Sequence, residues 1–286
     1  MDEFQLDRRH ARRSFDQAAS SYDEAAVLQR EIGDRLVDRL EYIRIEPKRV
    51  LDLGAGTGYV TGLLLDRYPG SEIWAMDFAP AMLQKVTCKR GWFRRPRRIC
   101  ADAGALPCRD ASFDLVVSNL MLQWCLPLEN YFAEIRRVLA ADGLLMFSSF
   151  GPDTLKELRQ AWAGVDDGWH VHEFVDMHDV GDALVATGFA GPVMDMEMIT
   201  LTYRDLLGLM RDLKAIGAVN SSRERRRGLL GRQGYRRLCE AYERFRTAEH
   251  LLPASYEIIY GHAWVPDVPA PSVTKENVGF RIVAQK

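Results

Sequence analysis

The run Val50-Leu51-Asp52-Leu53-Gly54-Ala55-Gly56-Thr57-Gly58 constrains what this chain can fold into more than any other stretch. An apolar segment of strand length ends in an acid, passes through a glycine-rich turn and enters a helical pattern, which is how a βαβ unit opens. Gly54 and Gly56 let the backbone turn tightly and approach a ligand with no Cβ in between. A dinucleotide fingerprint, G-x-G-x-x-G, would need glycine at position 59. This chain has Tyr59 there and glycine at 58.

The alternation then repeats. SEIWAMD, RRICADA, FDLVVSNL and GLLMFSSF read as strands, with helices in APAMLQKVTCKR and over 128–139 between them. Helical PDTLKELRQAW and MHDVGDALVATGF precede a strand in PVMDMEMITLTY. Strands alternating with helices predict a doubly wound, mostly parallel α/β sheet. Over 8–42 the apolar residues recur at spacings of three or four, which predicts two amphipathic helices ahead of the core. A basic, helical stretch over 204–250 precedes two late strands, ASYEIIYGHAW and VGFRIVAQK. We therefore expect a single domain: an N-terminal helical lid over 1–45, a core over 46–203, a helical insertion covering the site over 204–250, and final strands over 251–286.

The formal net charge of −2 speaks against global nucleic-acid binding, which needs a concentrated basic surface. The five cysteines form no CxxC pair and leave an odd thiol in any full disulfide scheme, so a reducing cytoplasm is the simplest compartment. No apolar run approaches the roughly 20 residues that span a bilayer. Asp2, Glu3, Asp7 and Asp16 argue against a transit peptide despite the early arginines. His170 and His172 form an H-x-H pair without further ligands at metal spacing, so no metal is expected.

Acids at successive strand ends indicate the cofactor. A ligand with a sulfonium and an amino-acid tail, S-adenosylmethionine, favours nearby carboxylate where a pyrophosphate would not. Asp52 is placed to attract its ammonium group, directly or through water. Asp77 can accept hydrogen bonds from ribose hydroxyls, as an acid does in dinucleotide folds. Asp102 can reach the exocyclic amine of adenine, with Ala103 offering a backbone amide, and Asn119 lies over the switch point of the sheet. A strand-end aspartate alone is commonly a helix cap. Three at three successive strand ends, following that turn, resemble the class I methyltransferase family. The resemblance implies a Rossmann-like fold that binds S-adenosyl-L-methionine through Asp52, Gly54, Ala55, Gly56, Asp77, Phe78, Met82, Asp102, Ala103 and Asn119.

A closer resemblance spans nearly the whole chain. RRSFDQAASSYDEAAVLQREI, SNLMLQWC, GPDTLKELRQAW, MRDLKAIGA and YGHAW are similar to the malonyl-(acyl carrier protein) O-methyltransferase family of biotin synthesis. The resemblance implies methyl esterification of the free carboxyl of malonyl carrier protein. A carboxyl with a pKa near ~4 is already the nucleophile at neutral pH and needs no general base. It does need a partner for its charge. Arg211 and Lys214, three apart on a helix of the roofing insertion, are the candidates, opposed by the reading of a solvated charged face. By resemblance Tyr22 shapes the pocket where cofactor and carboxylate meet, while Gln123 and Trp124 could line the acceptor channel. His262 is read as structural. The partner implied is acyl carrier protein bearing malonyl-phosphopantetheine. As it is acidic, a basic docking face is expected either in Arg223, Arg225, Arg226, Arg227, Arg232, Arg236 and Arg237 or in Lys89, Arg90, Arg94, Arg95, Arg97 and Arg98. Two alternatives stay open: methylation of another small acid or quinone-like acceptor, and a respiratory-complex assembly factor of this fold, one relative of which is linked to protein arginine hydroxylation.

Overall fold

The computed structural model describes residues 6–89, 94–166, 168–223, 225, 228 and 230–267. Three helices come first: α1 (Arg8–Ala18), α2 (Tyr22–Ala25) and α3 (Val27–Arg39). The core follows as β1 (Arg49–Leu53), α4 (Tyr59–Arg67), β2 (Glu72–Asp77), α5 (Pro80–Lys85), β3 (Arg97–Cys100), β4 (Phe113–Ser118), α6 (Leu128–Val138) and β5 (Leu139–Phe150). Then come α7 (Lys156–Ala163), α8 (Met177–Ala186), β6 (Ala190–Tyr203), α9 (Leu206–Ala215), α10 (Gly231–Glu243) and β7 (Leu252–Trp264).

The strands form one sheet in the order β3-β2-β1-β4-β5-β7-β6, with β7 antiparallel to both neighbours and the remaining pairs parallel. Alternate residues of a strand face opposite sides, and here both sides are apolar. Val50, Leu115, Val117, Leu144 and Met146 pack with Leu28, Ile32, Leu36 and Leu40, the every-fourth-residue stripe of α3 and the turn after it. Leu51, Leu53, Val116, Leu145 and Phe147 pack on the other side with Phe132 and Ile135 of α6 and Leu184 of α8. After β3, at one edge, the chain crosses to β4 beside β1, so the strand order reverses between β1 and β4. That reversal opens a crevice beyond the carboxyl ends of the strands.

Local differences from the sequence reading have tertiary causes. The first segment holds three helices, not two, because the chain breaks at Ala19–Ser21 and again at Ala26. The helix expected over 79–90 stops at Lys85, where Val86 leaves it to become buried against the turn at Gly58. In the insertion, α9 ends in a left-handed Gly217 with Ala218 N donating to Leu213 O at 2.9 Å, a Schellman stop, so the helical reading over 204–250 divides in two. The expected last strand, VGFRIVAQK, and Arg90, Arg226 and Arg227 of the basic runs lie outside the described residues.

Helix α1 is fastened at both ends to the segment that follows β6. Asp7 N donates to Ser221 O at 2.7 Å and the Asp7 carboxylate pairs with Arg225 at 3.1 Å. At the other end a Cβ on Gly217 would meet Ser14 O at 3.1 Å and the side chains of Phe15 and Ala18 at 3.2 Å, so only glycine permits this approach. Ser21 Oγ donates to Ala215 O at 3.0 Å.

Candidate active site

The turn after β1 is held in a conformation that glycine makes available. Gly54, Gly56 and Gly58 have φ of +80°, +53° and +95°. The amides of Gly54 and Ala55 donate to Met76 O at 2.8 and 2.9 Å. Asp77 braces the same turn, accepting from Gly56 N at 2.9 Å and from Ala79 N at 2.8 Å. A Cβ on Gly54 would strike the Met121 side chain, whereas one on Gly56 would meet nothing within 4 Å, because Gly56 borders a cavity.

Three cavities that share wall residues lie around this turn. The first runs between α1 and the strand ends and is bordered by Gly54, Gly56, Asp77, Phe78, Met82, Asp102, Ala103 and Asn119. A small one beside it is lined by Asp52, Ala55, Arg30, Tyr59 and Asn119. A larger one extends under the insertion, with Gln123, Trp124, His172, Tyr203, Asp212 and Leu213 in its wall. Tyr22 borders all three, and Phe15, Leu120 and Trp124 are shared by the first and the larger one.

The acids differ in what they have left to offer. Asp52 is buried, with Oδ2 accepting from the Thr61 hydroxyl and Oδ1 having no partner. Burial pushes its carboxyl up to about 7, with the Asp77 charge adding to the rise. Burial likewise moves Asp77 up to about 6, against the lowering by its backbone donors. Asp102 Oδ1 accepts from Gly104 N at 2.9 Å and is ion-paired with Arg8. Asn119 is braced, its Nδ2 donating to Gln29 O at 2.9 Å and its Oδ1 accepting from Ser148 Oγ at 2.7 Å. An orphaned, buried carboxylate oxygen beside open space at Gly56 fits a ligand with a cationic tail. S-adenosylmethionine has one.

In the larger cavity the polar side chains are mostly uncharged. Trp124 sits edge-on between Phe15, at 5.2 Å between ring centroids, and His172, at 4.8 Å. His172 accepts from Ser221 N at 3.2 Å, and burial lowers its pKa to about 4. His170 stacks on Trp162 at 3.6 Å, and His262 is on β7, opposite Met146. Among the described residues, no group of three or more His, Cys, Asp or Glu side chains is placed to hold a metal ion.

Residues 51–147 match the family described as a methyltransferase domain. A malonyl-[acyl-carrier protein] O-methyltransferase of Gallionella capsiferriformans is 49% identical over 286 residues, covering 98% of this chain and 97% of that one. Its counterpart in Halorhodospira halophila is 54% identical over 260 residues, covering 91% and 88%. The chain belongs to the malonyl-[acyl-carrier protein] O-methyltransferase family. Solved structures agree on the fold of this methyltransferase. The YcgJ protein of Bacillus subtilis superposes with a TM-score of 0.56 at 14% identity, covering 82% of this chain and 98% of that one. Phosphoethanolamine N-methyltransferase 2 of Haemonchus contortus, in complex with S-adenosyl-L-methionine, gives 0.51 at 16% identity, covering 88% and 57%.

Within this family member the structure corrects the placement of Arg211 and Lys214. Helix α9 buries Leu206 and Leu209 and turns Leu213 and Ile216 to the cavity, so the side that carries Arg211 and Lys214 is exposed to solvent. The charged residue of α9 that borders the cavity is Asp212. Sequence reasoning also missed Arg8, Phe15, Arg30 and Met121. Phe15 carried a signal, since it precedes Tyr22 by two helical turns in an amphipathic segment. Arg8 had none, because its partner Asp102 is remote in the chain.

Proposed function

We propose that this methyltransferase transfers the methyl group of S-adenosyl-L-methionine to the free carboxylate of a malonyl group carried by acyl carrier protein. The observation that carries the reading is the common wall: Tyr22 and Trp124 border both the cavity over the glycine turn and the one under the insertion. A donor seated over the turn and an acceptor entering beneath the insertion would meet there. The cofactor, when bound, supplies a methyl group activated on a sulfonium sulfur.

The residues divide the work of holding it. Asp52 Oδ1 would accept from the ammonium of the amino-acid tail, with Arg30 opposite for its carboxylate. Asp77, already gripping the Gly56 amide, would take the ribose hydroxyls. Asp102 and Ala103 would receive the adenine edge, while Phe78 and Met82 pack on the base. Tyr22 would donate its hydroxyl hydrogen to the attacking carboxylate. Burial, with the Asp77 and Asp23 carboxylates nearby, raises its pKa and keeps that hydrogen in place.

No proton has to be removed, since the free carboxyl of a malonyl half-thioester is ionised at neutral pH, with a pKa near ~4. The work is alignment of a carboxylate oxygen in line with methyl and sulfur, in a site from which α1 and α2 exclude water. Purified protein should methylate malonyl carrier protein in preference to free malonate, malonyl thioesters of small thiols and quinol precursors. Equal or better turnover of a non-malonyl acceptor would overturn this reading. Restoration of growth to a biotin-requiring strain lacking its own methyltransferase tests the same reading in a cell.

A further inference from the structure

The helices that wall the cavities turn a different side to solvent, and that side is basic. On α1, Ala11 and Ala18 are buried and Phe15 borders the cavities, while Arg9, Arg12 and Arg13 are exposed. On α9, Leu206 and Leu209 are buried while Arg211 and Lys214 are exposed. The C-terminal ends of the two helices are joined: Gly217, just after α9, lies against Ser14 and Ala18 of α1, and Ser21, just after α1, donates to Ala215 O at the end of α9.

In the other arginine runs some side chains are engaged within the chain, while Arg95, Arg232 and Arg237 are exposed with no ion pair among the described residues. Arg94 donates to Tyr68 O and Ser71 O, Arg98 to Leu83 O, and Arg97 pairs with Glu72. Arg225 pairs with Asp7 and Arg236 with Glu240. Among the described residues, no ion pair within the chain holds Arg9, Arg13, Arg211 or Lys214, and that of Arg12 with Asp16 is long, at 3.9 Å.

We propose that this joint outer face of α1 and α9 is where an acidic face of the carrier protein docks; the inference rests on the acceptor reading above. Charge complementarity selects an acidic partner and speeds its encounter. Continuity with the site selects the place. Asp212, Leu213 and Ile216 border the acceptor cavity from the same helix that offers Arg211 and Lys214, so a carrier seated here has its arm beside the opening it must enter.

The test uses the full chain with Arg9→Glu/Arg13→Glu and Arg211→Glu/Lys214→Glu, and Arg236→Glu/Arg237→Glu on α10 as a control. Each of the first two pairs should raise KM for malonyl carrier protein about tenfold and flatten its salt dependence. Carrier affinity, measured by surface plasmon resonance, should fall in parallel. Values of kcat, S-adenosylhomocysteine affinity and KM for malonyl-pantetheine should hold, as should all values for the control pair. An unchanged carrier KM, or equal losses on carrier and malonyl-pantetheine, would overturn the docking face. A native enzyme that methylates both acceptors with the same KM would overturn it too while leaving carboxyl methylation intact. Methylation of neither would remove the acceptor reading and the docking face with it.

Discussion

Arg8 on α1 is ion-paired with Asp102, just past the tip of β3, and so ties α1 to the sheet across the first cavity, which both side chains border. Both side chains are nearly half exposed, at 46% and 43%, which limits the pair to about 1 kcal/mol or less. Arg8→Ala should therefore weaken S-adenosylhomocysteine binding only a few-fold, up to about fivefold. The loss should come mainly as faster dissociation, measured by stopped-flow fluorescence. Tighter binding in the variant would mean that Arg8 competes with the ligand for Asp102.

In its proposed place against the ammonium group, Asp52 should give cofactor binding a pH dependence. Its carboxyl is raised to about 7 by burial, and a protonated Asp52 cannot serve an ammonium group. Affinity for S-adenosylhomocysteine should rise between pH 5.5 and 7.5, by about tenfold per unit where Asp52 alone is titrating, with proton release seen by calorimetry in buffers of different ionisation enthalpy. The sign for the ligand-free fold is opposite. A carboxyl whose folded pKa is raised contributes stability that is present below its unfolded value of 3.8 and is lost as pH rises through about 7. Asp52→Asn should flatten both trends, in titration calorimetry and in Tm against pH.

Gly56 separates binding from folding. Its φ of +53° makes a side chain strained, and the added Cβ would point into open cavity. Gly56→Ala should cost about 1 kcal/mol of stability by chemical denaturation. It should weaken cofactor binding about tenfold or more, because the methyl group occupies ligand space. Proportionate losses in both measurements would place the turn outside the binding surface.

Tyr22 tests the reacting end. Tyr22→Phe keeps the ring at the meeting point of the cavities and removes its hydrogen-bond donor. A bond to a charged acceptor contributes about 1.5 kcal/mol or more, so kcat on the malonyl acceptor should fall at least about tenfold while cofactor affinity stays level. Loss of cofactor affinity instead would mark Tyr22 as packing for the nucleoside.

The parts of this fold that local chemistry determines were legible before the structure. The β1 apolar run and its glycine turn follow from strand periodicity and from what glycine permits, and the acids Asp77, ending β2, and Asp102, past β3, stand in the sequence at the strand ends that this periodicity marks. Contacts between remote segments were not. Helix α5 ends early because Val86 fills space beside Gly58, which no local propensity records. Arg211 and Lys214 share one side of α9, as their spacing requires, but which side faces the cavity is decided by Leu206, Leu209 and Leu213 competing for the core. The engagement of Asn119 with Gln29 and Ser148 likewise joins three segments that only the tertiary fold brings together.

With Phe15, Tyr22, Leu120 and Trp124 bordering two cavities at once, the partition between them is one residue thick at those positions. A hybrid compound, with an adenosine portion joined by a short tether to a malonamide, would then straddle the partition. It would hold both halves at high effective concentration and bind more tightly than either half alone.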